Sequence, residues 1–368
     1  MNKLSPIAIS LFALCACGDS PAHAPDAGLP TTARAVIVAG DFTPGNPGVL
    51  TTLDAATREV RQNAGPAMAV GSDPILRHVD HDLLIVNRGE NNITILDDQT
   101  LALKEQLGTG ANSNPQDVAA VGTKLYVPTL ATSGVTVLTR GSNTTTQIAL
   151  SADDPDGKPD CNSAFAIGTN VYVACGLLDG FDPRGAGKVY VIDTATDTVQ
   201  ASKTITLLHK NPFGLFEQLP AGAPNAGDLV IPTVEDFMTA PGCVERITPG
   251  AATSTCLLDN AALGGYPSRI AFETGAAPVM WSAVAVTDFM HANLRGYELA
   301  SATLSAAPIS PAGEKIADVV ACPSGQIVVV DATKDASGLR VYDAAVEQTT
   351  AALPIGISSF SQHGVVCY

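Results

Sequence analysis

Short runs of apolar, largely β-branched residues alternate with Gly-, Asn-, Asp- and Pro-rich breaks along most of this chain. The clearest runs are RAVIVAG (34–40), DLLIVNR (82–88), KLYVPTL (124–130), NVYVACG (170–176), DLVIPTV (228–234), PVMWSAVAV (278–286) and QIVVVDA (326–332). They are too short for helices and are bounded by turn formers, so they read as buried strands. Each run after the first follows another strand-like segment, at 73–79, 114–121, 162–168, 211–217, 266–272 and 315–321. A further strand then ends near Asp54, Asp97, Asp193 and Asp343, with weaker copies at Thr139, Thr248 and Glu298. From Asp54 to Asp343 is 289 residues in six steps, a period of about 48. Several short strands per copy at this period are the mark of a propeller blade. The pattern therefore predicts an all-β, seven-bladed β-propeller with four-stranded blades.

The copies have a phase as well as a period. The first blade lacks its leading strand before Arg34, and the missing segment stands at the far end as SQHGVVCY (361–368). The C-terminal strand is therefore expected to pair with the N-terminal three. This closes the ring through backbone hydrogen bonds and leaves no blade free to peel away.

Ahead of the repeats, residues 1–16 carry Lys3 and then an apolar stretch from Leu4 to Ala16. That stretch is too short to span a bilayer and reads as an export signal. Leu14-Cys15-Ala16-Cys17 resembles a bacterial lipobox, which implies cleavage before Cys17 and acylation of that residue. Gly18 follows Cys17, which by resemblance to lipoprotein sorting in enteric bacteria implies the outer membrane over the inner one. Residues 17–33, rich in Pro, Ala and Gly, read as a flexible tether to the propeller domain at 34–368.

The formal net charge is −16, and loss of Lys3 with the leader makes it −17. Such an acidic body repels nucleic acid and anionic headgroups, so the membrane is expected to be met only through the N-terminal lipid. Six of the eight cysteines lie in the body. An even number in an exported chain reads as disulfides. Cys161/Cys175 and Cys243/Cys256 each flank a hairpin, while Cys322 and Cys367 fall at matching places in consecutive blades. Three bridges with those pairings are expected.

KLYVPTLATSGVTVLT and NVYVACG…KVYVIDTATDTV resemble the YVTN-type seven-bladed propeller repeat, with the likeness extending over residues 34–368. The resemblance implies a bacterial surface or periplasmic protein that binds or scaffolds, with lactone hydrolysis in one branch. The repeat specifies blades and not chemistry.

The turns into the innermost strands should ring one mouth of the channel. They carry Asp73, Asn114, Asn162, Asn211 and His363, with Asp117, Arg269 and Asp318 a little further in. As turn formers, these Asn and Asp residues shape the chain before the strand. As a ring of polar groups, the eight residues would hold a small polar ligand or an ion. Asp154, Asp156 and Asp160 in SADDPDGKPDC resemble half of a calcium loop, without its full spacing or distal Glu. Calcium is the one cofactor the sequence raises. Enzymatic signatures are thin: G-x-S-x-G, P-loop, H-E-x-x-H and Rossmann motifs are all missing. His209 and His291 lie in loops with no partner visible in the sequence. The leading expectation is a lipid-anchored, monomeric envelope protein that binds a protein, glycan or small molecule. The alternative is a lactonase-like or metal-assisted hydrolase acting at the channel.

Overall fold

A computed structural model describes residues 33–142, 144–154, 156–180, 182–288, 290–357 and 362–368. The expected leader, the acylated Cys17 and the tether up to residue 32 lie outside these residues. Among the described residues no helix is long and apolar enough to cross a membrane.

Seven antiparallel blades built on four strands follow one another among the described residues, the fourth with an added short strand Ile205–Thr206 and a separate two-stranded ribbon of Leu178–Asp179 and Asp182–Pro183. Blade 1 comprises Gln362–Cys367, Arg34–Gly40, Val49–Asp54 and Val60–Arg61, from the innermost strand outward. The innermost strands of blades 2, 3 and 4 are Pro74–Val79, Ala119–Val121 and Cys161–Ile167. Those of blades 5, 6 and 7 are Glu217–Gln218, Tyr266–Phe272 and Ile316–Ala321. The expected closure is present. Arg34–Gly40 pairs with Gln362–Cys367 in a register running from Ala35 opposite Cys367 to Gly40 opposite Gln362. Arg34 and Tyr368 extend the ladder, exchanging backbone bonds of 2.8 and 3.1 Å.

The period-2 alternation of a strand explains why blades assemble into a ring. In Arg34–Gly40, Val36 and Val38 pack towards Leu76, Leu83 and Ile85 of blade 2. Ala35, Ile37 and Ala39 face Val328, Val330 and Leu339 of blade 7. The same division recurs between every neighbouring pair of blades. Each blade is therefore apolar on both faces and can bury both only between two neighbours. Gly364 marks how closely the innermost strands approach: a Cβ there would stand 2.6 Å from the Leu76 nitrogen.

The Asp residues that define the repeat are turn formers. Asp54 Oδ1 accepts from the N–H groups of Ala56 and Thr57 at 3.0 and 2.7 Å. Asp97 does the same for Gln99 and Thr100 at 3.1 and 2.9 Å, and Asp193 accepts from Ala195 at 2.9 Å. Each carboxylate closes the hairpin into the outermost strand.

Two innermost strands are shorter than expected. Segment 114–121 is regular only from Ala119, and segment 211–217 only reaches the ladder at Glu217. In both blades the neighbouring strand ends in proline, Pro128 or Pro232. Proline offers no N–H, so the regular ladder is interrupted there, while Gln116 N and Phe213 N still donate to the Pro128 and Pro232 carbonyls at 2.8 and 2.7 Å. Gly214, at φ 123°, takes up the bend in blade 5.

Two of the three expected disulfides are present, Cys161–Cys175 and Cys322–Cys367. Disulfides of this kind belong to proteins outside the reducing cytoplasm. The third expectation is corrected: Cys243 and Cys256 are free. Cys161 stands directly opposite Cys175 in its hairpin. The register of the second hairpin instead sets Cys243 opposite Asp259 and Cys256 opposite Glu245, so the two thiols sit diagonally.

Cys322–Cys367 links residues 45 apart and ties the closing strand to blade 7, whereas Cys161–Cys175 spans 14 residues within one hairpin. Loop-closure entropy puts the first at about 4 and the second at about 3 kcal/mol. Urea unfolding of the two double-serine variants is expected to show the larger loss for Cys322→Ser/Cys367→Ser.

Candidate functional site

The innermost strands surround a central cavity of about 500 Å³. Apolar residues such as Val79, Ala120, Ala166, Phe272, Ala321 and Val366 line it together with His78, Arg77, Glu217, Arg269 and Asp318. The cavity thus combines an apolar wall with a ring of charged groups.

Every blade contributes to that ring or to its support. Arg77 of blade 2 makes a two-pronged pair with Asp117 of blade 3, at 2.8 and 2.9 Å, and reaches Glu217 of blade 5 at 3.0 Å. Asp117 is fully buried, and its second oxygen accepts from Ser163 Oγ at 2.8 Å and Ala164 N at 2.9 Å in blade 4. Ser163 Oγ in turn accepts from Phe216 N at 2.8 Å. Asp117 also accepts from its own neighbour Val118 N at 2.8 Å. Asp318 of blade 7 repeats the motif, accepting from Val319 N at 2.8 Å and from the backbone N–H of Val365 in blade 1. In both cases a bulge or break in the ladder turns a carboxylate towards the next blade. Removing one member of such a buried pair typically costs about 3–5 kcal/mol, because the other charge is left in low dielectric.

The opposite side of the ring is less saturated. Arg269 of blade 6 lies 3.8 Å from Asp318 and donates through Nη1 to the Ser268 carbonyl at 2.8 Å. Its Nε has no acceptor within the described protein. Arg88 pairs with Asp73 at 3.1 Å, and its Nε likewise has no protein acceptor.

Burial sets the titration of these groups. It pushes Glu217 up to about 7, outweighing the Arg77 guanidinium that pulls the other way. Burial also raises Asp318 to about 6 against the attraction of Arg269. His363 is driven down to about 4 by burial, with Arg269, Lys315 and Arg88 adding to the effect against a bond to the Ala317 backbone. At neutral pH His363 is a neutral imidazole.

The residues anticipated at the mouth divide by role. Arg269 and Asp318 line the cavity, and Asp117 holds Arg77 in it. His363 is buried, within electrostatic reach of Arg269, Lys315 and Arg88. Asp73, Asn114 and Asn211 take left-handed backbone with φ of 50°, 49° and 40°, as does Asp160 at 51°. Asp73 and Asp160 stand just before an innermost strand, and Asn114 and Asn211 just before the isolated bridges of Pro115 and Pro212, where Asx residues tolerate positive φ best. Their repetition is thus a turn requirement. Asn162 bridges blades 4 and 5, donating to the Gly214 carbonyl at 3.0 Å. Arg77 and Glu217 were not anticipated. The available signal was a charged residue inside an otherwise apolar innermost run, in DPILRHV and NPFGLFE.

In the acidic loop, Asp154 Oδ1 accepts from the N–H groups of Asp156 and Gly157, each at 3.0 Å, and Asp156 Oδ1 from Lys158 N at 2.8 Å. Asp160 accepts from Leu178 N at 2.8 Å, and burial raises it to about 6. These carboxylates are turned onto backbone. Among the described residues the three ligand types that converge lie elsewhere, at His209, Cys243 and Glu245. His209 thus has partners, as does His291, which sits 2.5 Å from Asp288.

No family model matches the chain, and no curated protein does. Solved structures do resemble it. The β-propeller domain of Cps50 (Swd1) from Myceliophteria thermophila has a TM-score of 0.57 at 11% identity, covering 80% of this chain and 90% of that one. Streptogramin B lyase gives 0.53 at 11%, with 80% and 94% covered. Dihydro-heme d1 dehydrogenase NirN in complex with DHE gives 0.52 at 13%, with 94% and 77% covered. At these identities the likeness establishes the propeller fold.

The raised pKa of Glu217 has a signed consequence. Between about 4.5 and 7 the folded chain keeps a proton that the unfolded chain has lost. The contribution to stability is therefore full below 4.5 and gone above 7. Glu217 leaves a third of its side chain open to the channel, so water screens part of the effect. Urea midpoints of Glu217→Gln relative to the parent are expected to shift in the variant's favour from pH 5 to pH 8.

Proposed function

We propose that this chain is an exported, lipid-anchored binding propeller whose channel takes an amphipathic small molecule. The observation that carries the reading is the cavity of about 500 Å³, whose lining combines apolar residues with a few charged ones. Pockets of this size with a few convergent polar groups are typical of small-molecule sites. The apolar body of the ligand would lie against Val79, Ala120, Ala166, Phe272 and Ala321. Its anionic or polar head would meet Arg269, the guanidinium with the weakest internal pairing in the ring. The lipobox-like Cys17, the tether and the two disulfides support placement in the bacterial envelope, and the YVTN-like repeat agrees with it.

A hydrolase reading rests on a different observation. Glu217 and Asp318 have their carboxyl groups pushed to about 7 and 6, within reach of proton transfer at neutral pH. It would need a substrate carbonyl held between Arg269 and one of these acids.

Anilinonaphthalene sulfonate, an apolar ring system with one anionic group, is the probe for the binding reading. Saturable binding of one molecule per chain is expected by fluorescence titration. Arg269→Gln should weaken it about tenfold, the effect of losing a charge-assisted hydrogen bond. Ala166→Phe should abolish it by filling the cavity. Binding that ignores both substitutions would place the dye elsewhere and remove the reading.

Anchoring is tested separately. Wild-type protein expressed in a bacterial host is expected to sediment with membranes, and Cys17→Ser to move to the soluble fraction. A serine variant that stays with the membranes would count against the anchor.

A further inference from the structure

At the outer part of blade 5, away from the channel, three side chains with metal-binding atoms converge. His209 sits on the connection from blade 4, and Cys243 and Glu245 share one face of strand Cys243–Ile247. Their ligand atoms all lie within 4.8 Å of one another. His209 Nδ1 is 3.1 Å from Glu245 Oε1 and 3.6 Å from Cys243 Sγ. A tetrahedral zinc ion, with Zn–S of about 2.3 Å and Zn–N or Zn–O of about 2.0–2.1 Å, requires edges of about 3.6 Å for S···N and about 3.3 Å for N···O. The measured edges fit these within a few tenths of an ångström. A fourth donor is at hand, since the exposed Cys256 thiol contacts Cys243.

The charge balance points the same way. Glu245 is fully buried, and its ion pair is with His209; among the described residues no Lys or Arg pairs with it. Its carboxylate is aimed by Leu208 N at 2.9 Å, His209 N at 2.9 Å and Thr233 Oγ1 at 3.0 Å, and by the Ser254 hydroxyl. A buried carboxylate beside a buried thiol is a site that a cation would relieve.

We propose that His209, Cys243, Glu245 and Cys256 form a binding site for a soft divalent cation of the zinc type. On binding, each ligating thiol gives up its proton to solvent, and the His209 contact to Glu245 is exchanged for bonds from both residues to the metal. This explains why these cysteines stand apart from the two bridged pairs. The hairpin register that sets them diagonally leaves both sulfurs free to point at one ion. The inference is independent of the channel reading, because blade 5 presents this cluster away from the cavity lining.

Cobalt(II) titration of the purified chain, without added reductant, tests the site directly. One ion per chain is expected, with a thiolate-to-cobalt charge-transfer band and the strong visible bands of four-coordination, displaced by zinc(II). His209→Ala and Cys243→Ser should each weaken zinc at least about tenfold, with circular dichroism unchanged. Cys256→Ser should weaken it and reduce the charge-transfer intensity. Failure to bind one ion, a spectrum without the thiolate band, or equal affinity in His209→Ala would overturn the proposal. So would non-reducing peptide mapping that finds Cys243 bridged to Cys256.

Discussion

Pairing of Gln362–Cys367 with Arg34–Gly40 is the contact on which the rest of the molecule depends. Every blade is apolar on both faces, so a linear stack would leave two apolar sheets exposed at its ends. Joining the ends through six paired residues removes both exposed faces at once. It also puts a strand from the far end of the chain into the innermost position of blade 1. There Gly364 lets it press against blade 2 and His363 joins the polar ring. Tyr368 continues the tie, stacking on His78 at 4.2 Å and donating to the Asp98 carbonyl at 2.6 Å.

Closure brings the innermost strands together, and their convergence forces a choice at the axis. Strands packed side by side elsewhere meet apolar partners, but at the axis each faces a space shared by all. Arg77, Asp117, Ser163 and Glu217 fill part of it with a connected network, and Arg269, Asp318 and His363 fill the rest more loosely. The tight half fixes the blades in place. The loose half leaves guanidinium donors and near-neutral carboxyl groups beside an apolar wall. That asymmetry is what gives the channel the chemistry of a binding site and not of a plug.

The hydrogen bonds from Asp117 and Asp318 to the next blade are also the reason the ring is not a uniform repeat. Each needs a local break in the innermost ladder, supplied by a bulge or by a proline in the neighbouring strand. Such breaks turn a side chain that regular alternation would direct between blades. Arg77 and Glu217 escaped a periodic reading for a different reason: each was part of an apolar run, and its charge had no visible partner until blades 2, 3 and 5 were adjacent.

The architecture was legible in the sequence because it rests on local and periodic information. Alternating apolar runs, Asx turns and a repeat of about 48 residues recur often enough to reveal blade number and phase, and the phase alone implies how the ring closes. Two disulfides were legible for the same reason, since their cysteines occupy matching positions in paired strands. What only the tertiary structure decided depends on single, non-repeating residues. The diagonal offset of Cys243 and Cys256 arises from the register of one hairpin. The meeting of His209 with Glu245 joins residues 36 apart in sequence, and that of Arg77 with Glu217 residues 140 apart. No period carries such pairings, because they come from the curvature of the ring and the irregularities within it.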